Sequence, residues 1–221
     1  MYIKTNGANI FYKKSGQGHP IILLHGNGQT HAIFDVLEKQ LSQNYTVYAI
    51  DSRGHGKSSK VKNLDYKSMM EDIATLIREL HIQKPILFGF SDGGNIGLLL
   101  AIQYPNVLSK LIISGSNTTP NGIKPIYMAL IKVAYFFTRS KKFKLMLTQP
   151  TIKKTDLHNI VTPTLVLAGS KDFIREEHTK AIAKNIKNST LRILKGEGHM
   201  SYVVRSRKLY EIIVPFLTKA D

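Results

Sequence analysis

Gly89-Phe90-Ser91-Asp92-Gly93 is a Gly-x-Ser-x-Gly run, with an apolar stretch, Pro85 to Phe90, before it and a helical stretch, Asn95 to Tyr104, after it. In that context the flanking glycines allow a tight strand-to-helix turn that projects a serine hydroxyl at the carboxyl edge of a sheet. A serine cannot attack a carbonyl at neutral pH until a base takes its proton. His199 is the candidate base, because Gly196-Glu197-Gly198-His199-Met200 directly follows the strand-like run Thr190 to Leu194, and two glycines permit a loop reaching back over the sheet edge. An imidazole that accepts and then returns a proton needs a carboxylate to fix its tautomer and stabilise its cation. Asp172 fits, in Gly169-Ser170-Lys171-Asp172 after the run Thr164 to Ala168. The alternative position, after Leu108 to Ser114, offers no acid before Pro120, and Glu176 and Glu177 suit the first turn of the next helix.

The oxyanion that forms on the attacked carbonyl needs two preorganised donors, and backbone amides are the usual source. The Asp92 amide, next after the nucleophile, is one candidate; the Asn27 amide, in His25-Gly26-Asn27-Gly28 after the run Pro20 to Leu24, is the other. Two readings of the Asp92 carboxylate stay open. It stabilises a helix N-terminus, or it faces the acyl pocket and pairs with a cation on the substrate. Asp51-Ser52-Arg53-Gly54-His55-Gly56-Lys57-Ser58 reads as a structural turn held by Asp51 and Arg53. It is not a phosphate loop, since Asp51 stands where the first glycine would be required, and a dinucleotide fingerprint from Gly26 fails at His31. The eight histidines show no metal-ligand spacing, so neither metal nor cofactor is expected.

The elements that must hold these residues alternate along the chain. Tyr2 to Thr5 and Asn9 to Lys13 predict an opening antiparallel hairpin across Asn6-Gly7-Ala8. Six further apolar runs, Pro20 to Leu24, Tyr45 to Ile50, Pro85 to Phe90, Leu108 to Ser114, Thr164 to Ala168 and Thr190 to Leu194, suit buried parallel strands. Between them Met69, Met70, Ile73, Leu76, Ile77 and Leu80 form one face of a helix over about Asp65 to His81. The prediction is an α/β fold of about eight mostly parallel strands with helices on both faces, its core spanning 1–115 and 164–221. Residues 116–163 break the rhythm and predict a small lid with eight Lys or Arg against a single acid, Asp156. Ile123 to Phe137 is apolar on nearly every face, as befits either a lipid-facing or gating surface or the lining beneath a lid.

On the His-Gly-Asn-Gly loop, the Asp-x-Arg-Gly-x-Gly-x-Ser turn, the Gly-Phe-Ser-Asp-Gly-Gly elbow, the Gly-Ser-x-Asp turn and the Gly-His ending, the chain resembles the α/β-hydrolase superfamily, in its esterase, lipase and C-C hydrolase branch. The likeness covers essentially the whole chain. It implies a serine hydrolase with Ser91, Asp172 and His199 as catalytic triad and Asn27 and Asp92 at the oxyanion hole. Serine at the elbow differs from the haloalkane dehalogenase and epoxide hydrolase branches, where the nucleophile is aspartate. The Ser-Asp-Gly-Gly run is similar to that of the biphenyl-hydrolase-like amino-ester hydrolases, which implies a substrate-binding role for Asp92. The lid is shorter than in many relatives, which bears on substrate class.

Composition sets the outer limits. The 221 residues suffice for one substantial core, and 43% hydrophobic with 21% charged residues is globular composition. The absence of cysteine removes thiol catalysis and disulfides. No apolar run reaches the ~18 residues of a membrane span, and Met1 to Lys14 reads as strand rather than signal peptide, so the cytoplasm is the expected address. A net charge of +16 raises the local concentration of anions. Without zinc-finger spacing or aromatics interleaved in a basic run, it predicts no specific nucleic-acid partner, and it leaves weak association with an anionic membrane surface as an expectation. The function these features predict is hydrolysis of a carboxylic ester of a small or medium acyl group through an acyl-enzyme. C-C or amide hydrolysis on the same triad is the alternative, and a non-catalytic ligand-binding or peripheral membrane protein on a hydrolase scaffold is the reading from another class.

Overall fold

Ile21 and Leu23 point to one side of a strand and Ile22 and Leu24 to the other, and all four are fully buried. A strand buried on both faces needs cover on both. In the computed structural model, which describes residues 1–219, this strand is β3 (His19–Leu24) of an eight-stranded sheet. Its companions are β1 (Tyr2–Thr5), β2 (Ala8–Ser15), β4 (Tyr45–Ile50), β5 (Ile86–Phe90), β6 (Lys110–Ser114), β7 (Thr164–Lys171) and β8 (Ser189–Gly198). The order across the sheet is β1-β2-β4-β3-β5-β6-β7-β8. β2 pairs antiparallel with β1 and β4, and the other pairings are parallel. This is the α/β architecture expected from the sequence.

Two apolar layers follow from the side-chain alternation. On one face Ile21, Leu23, Val47, Phe88 and Leu165 pack with Leu37 and Leu41 of α1 (Asp35–Leu41) and with Leu209 and Ile213 of α8 (Lys208–Leu217). On the other, Ile22, Leu24, Leu87 and Val166 pack with α2 (Tyr66–Glu79), α3 (Asp92–Gln103) and α7 (Glu176–Asn185). Of the stripe predicted for α2, Met69, Met70, Ile73, Leu76 and Ile77 all lie inside, while Leu80, past the helix end at Glu79, is its half-buried C-cap; Asp65 caps the other end by accepting from the Ser68 amide at 2.7 Å.

β3 lies between β4 and β5, so the chain leaves it first to one side and then to the other. The loops after β3 and β5 therefore diverge, and a crevice opens at their carboxyl ends, where α/β sheets commonly bind ligands. Leu24 pairs with Gly89, which sets the loop starting at His25 beside the turn at Ser91.

β7 and β8 run further than the sequence pattern suggests. Gly196-Glu197-Gly198, read above as loop, is strand: past an irregularity at Gly169–Lys171, Lys171 pairs with Gly198. The Gly196 amide donates to Ser170 Oγ at 2.9 Å within this extension. Pairing between two strands distant in sequence supplies the hydrogen bonds that keep these glycines extended, and no local propensity records it.

Between β6 and β7 the chain forms α4 (Pro125–Thr138), α5 (Lys141–Thr148) and α6 (Lys154–Leu157). Leu145, Ile152, Leu157 and Ile160 tie this segment to the α2/α3 core. By contrast, α4 has no buried residue. Among the described residues no helix is long and apolar enough to cross a membrane.

Candidate active site

Ser91 sits between the end of β5 and the start of α3 with φ 52° and ψ −114°. A left-handed φ is strained for a non-glycine residue, and such strain persists only where the surroundings enforce it. Here the Ser91 amide donates to the Ser114 carbonyl at 2.7 Å, and the glycines of the Gly-x-Ser-x-Gly run leave room for the turn. A Cβ on Gly89 would collide with the Gly93 carbonyl, and one on Gly93 with the Leu24 carbonyl. The turn can close this tightly against β3 only because both side chains are missing. Directly after Ser91, the Asp92 N–H opens α3, where helix geometry leaves it without an intrahelical acceptor.

The extension of β7 and β8 positions the other two residues. Because Lys171 and Gly198 are paired, the next residues, Asp172 and His199, emerge side by side. Asp172 Oδ1 accepts from His199 Nδ1 at 2.8 Å and from the Ile174 amide at 2.9 Å. The carboxylate is buried, its Oδ2 has no partner, and Lys124 Nζ donates to the Asp172 carbonyl at 2.5 Å. The imidazole packs against two tilted rings, Phe173 at 3.8 Å and Phe90 at 4.8 Å between centroids. Beneath it passes Gly115 with φ +61°, where a Cβ would come within 2.6 Å of His199 Cε1 and 3.3 Å of Asp172 Oδ2. Gly115 follows β6, the position with no acid in the sequence; the space an extra side chain would take is filled by the His199–Asp172 pair.

Ser91 and His199 share the wall of a cavity of about 260 Å³ with Asn27, Phe90, Phe173 and Met200. Another wall is α5, through Lys142, Phe143 and Met146, with its N-cap Ser140. Asn27 lies in a turn closed by the Gln29 amide on the Gly26 carbonyl at 3.2 Å, and its side-chain Nδ2 donates to the Lys142 carbonyl at 2.9 Å. The loop after β3 is thus fastened to α5 across the cavity. The neighbouring His25 is buried and its pKa is lowered to about 4 by that burial; Nε2 accepts from the Ser52 amide at 3.1 Å. It is a neutral scaffold residue.

Of the five residues singled out in the sequence, four meet at this cavity or through it: Ser91, His199 and Asn27 line it, and Asp172 stands behind His199. The Asp92 side chain goes elsewhere. It is 6% exposed, contributes nothing to the cavity wall, and accepts from the buried Tyr66 hydroxyl at 2.7 Å, with its Oδ2 unpartnered. Burial pushes its pKa up to about 6, with the Tyr66 hydrogen bond acting in the opposite sense. The turn after β4 is held partly as expected. Asp51 accepts from the amides of His31 and Lys57 at 2.7 and 2.8 Å, whereas Arg53 pairs with Asp72 of α2 at 2.6 Å. Phe173, Gly115, Tyr66 and the α5 wall were not singled out from the sequence. Only the glycine after a strand carried any local signal, and the rest depends on which residues the fold brings together. Among the described residues no cluster of metal-ligating side chains occurs.

Comparison with known proteins identifies the fold. The family model of the alpha/beta hydrolase fold matches residues 19–151. The chain is 26% identical over 262 residues to the AB hydrolase superfamily protein YisY of Bacillus subtilis, covering 97% of this chain and 98% of that one. It is 27% identical over 246 residues to the human serine hydrolase BPHL, covering 95% and 84% respectively. Among solved structures, an esterase from Exiguobacterium antarcticum superposes with a TM-score of 0.87 at 21% identity, over 99% of both chains.

Proposed function

Since the chain belongs to the alpha/beta hydrolase fold family, we propose that it is a serine hydrolase acting on carboxylic esters, with Ser91 as nucleophile, His199 as general base and Asp172 as the group that orients it. The observation that carries the reading is the His199 Nδ1 to Asp172 Oδ1 hydrogen bond of 2.8 Å, on an imidazole that shares a cavity with the strained Ser91. With Nδ1–H committed to the carboxylate, Nε2 is the nitrogen left to accept a proton.

In this mechanism Ser91 Oγ attacks the ester carbonyl as His199 Nε2 takes its proton. The resulting oxyanion is received by the backbone amides of Asn27 and Asp92. Collapse of the tetrahedral intermediate breaks the C–O bond, and His199 returns the proton to the departing alcohol. Water, activated by the same imidazole, then hydrolyses the acyl-enzyme. Asp172 stays ionised throughout and stabilises the transient imidazolium.

Cavity size favours a small or medium acyl group: about 260 Å³ lies below the ~300–1,000 Å³ of pockets for drug-sized ligands. Phe90, Phe143, Met146 and Phe173 give it apolar walls. The segment 116–163 acts as the lid, α5 supplying the inner wall. Asp92 contributes its amide, and its carboxylate is a structural group under α2.

The reading is tested with a fluorophosphonate probe and a panel of esters of graded acyl length, alongside matched amides and β-diketones. Labelling of the wild type that is lost in Ser91→Ala, with turnover highest on short esters, is the expected result. Equal labelling of the two proteins would overturn the nucleophile, and turnover confined to amides or diketones would overturn the substrate class.

A further inference from the structure

Six of the ten large apolar side chains most exposed to solvent belong to one helix, α4: Ile126, Tyr127, Leu130, Val133, Phe136 and Phe137. Single exposed apolar residues are ordinary, but a contiguous group of this kind marks an interaction surface. Ile126, Leu130, Val133 and Phe137 follow helical spacing, so they form a stripe along one side of a helix about 21 Å long. The opposite side, through Met128, Ile131 and Tyr135, is half-buried. The stripe is not an unused wall of the cavity, because the wall on that side comes from α5 and no α4 residue lines it.

The rim of the stripe identifies the occupant. Lys132 is the charged residue within α4, and it is exposed. Arg139 ends the helix, its guanidinium 5.5 Å from the Phe136 ring, and Lys144 is exposed on α5. No Asp or Glu occurs between Asp92 and Asp156. A second copy of this chain would bring two cationic rims together without compensating acids. An anionic bilayer complements both parts: acyl chains meet the apolar stripe and headgroups meet the cations. At 14 residues α4 is too short to span, so it would lie in the plane of the interface.

We propose that the outward face of α4 docks this protein onto anionic phospholipid membranes, through Ile126, Leu130, Val133 and Phe137 with Lys132, Arg139 and Lys144 at the rim. The docked face adjoins the cavity, since the Tyr127 ring lies 5.7 Å from Phe173, which stacks on His199. If the serine hydrolase reading also holds, docking brings the mouth of that cavity close to the bilayer surface.

The test is flotation of the full chain with vesicles of phosphatidylglycerol and phosphatidylcholine, against phosphatidylcholine alone. A Leu130→Ser/Phe137→Ser variant should bind the anionic vesicles about tenfold less tightly, through loss of buried apolar area. Lys132→Gln/Lys144→Gln should weaken binding by about fivefold for each cation removed, a difference that disappears in about 0.5 M salt. Both variants should keep the wild-type melting temperature and hydrolyse a soluble short ester as the wild type does, which separates failure of docking from failure of the hydrolase reading. Wild-type binding that ignores lipid charge, or that survives the double serine variant, would overturn the proposal. So would light scattering that shows a dimer dissociated by that variant, in a protein that does not float with vesicles.

Discussion

At the carboxyl edge of the sheet the side chains of the proposed triad are gripped by their neighbours, whereas on α4 six large apolar side chains face water. His199 is held by a carboxylate on one nitrogen and packs against the rings of Phe173 and Phe90. Phe137, at 78% exposure, has its contact with Phe136 as the one ring neighbour described. The first region shows how a folded chain fixes a side-chain geometry: it sets several constraints on the same group. The second shows a surface whose composition makes sense only against something outside the chain. Both regions are rich in aromatic residues, so it is the partners of those residues, more than their type, that separate a site from a docking face.

The comparison breaks most visibly if the gripped region proves unimportant for turnover. Ser91→Ala and His199→Ala should each cost about 10⁶ in kcat, and Asp172→Asn about 10⁴, since its amide would hold the imidazole in the wrong tautomer. Single-turnover assays on a short ester would check this; more than a tenth of wild-type activity in either alanine variant would remove that residue from the chemistry.

Removing a phenyl ring offers a direct contrast of the two regions. Phe88 of β5 is fully buried and packs edge-on against Phe34 at 5.6 Å, so Phe88→Ala should cost about 3–5 kcal/mol in urea unfolding. Phe137→Ala should change stability by less than about 0.5 kcal/mol. A large loss in the second variant would mean that α4 is held to the fold by contacts on its outward face.

Gly115→Ala sharpens the picture of how His199 is held. The new methyl would press on the imidazole from below, at a residue whose φ of +61° already disfavours a side chain. A displacement of about 1 Å at a catalytic group costs about 10²-fold in rate, so kcat should fall by that order while KM moves little. Unchanged kcat would mean that the imidazole can shift without consequence.

A last contrast concerns Asp92, buried beside Tyr66 and away from the cavity. Its pKa is raised from the ordinary 3.8 to about 6, so the folded protein binds this proton more tightly than the unfolded chain does. Stability attributable to this group is therefore highest when it is protonated, and it declines as pH rises from about 4 to about 6, by about 3 kcal/mol in all. Asp92→Asn, which can still accept from Tyr66, should melt about 6–12 °C above wild type near pH 8. The gap should narrow as pH falls through that window, and a gap independent of pH would mean that burial does not penalise the charge. The same variant should leave the preference between an α-amino ester and its neutral isostere unchanged; a preference that shrinks on mutation would restore the carboxylate to substrate binding.

The local parts of this protein were written in the chain. Apolar runs of strand length, the helical stripe from Met69 to Leu80, and glycines flanking Ser91 are patterns of period and steric need that act over a few residues; each appears in the structure, with strand and helix ends that differ from the pattern. Three features were decided by contacts between residues far apart. The β7–β8 pairing reaches as far as Lys171 and Gly198 and so sets Asp172 beside His199. Tyr66 lies 26 residues before Asp92 and draws its carboxylate away from the cavity. The direction in which α4 shows its stripe follows from α5 occupying the cavity side, because a helix apolar on nearly every face carries no internal instruction about which face to bury.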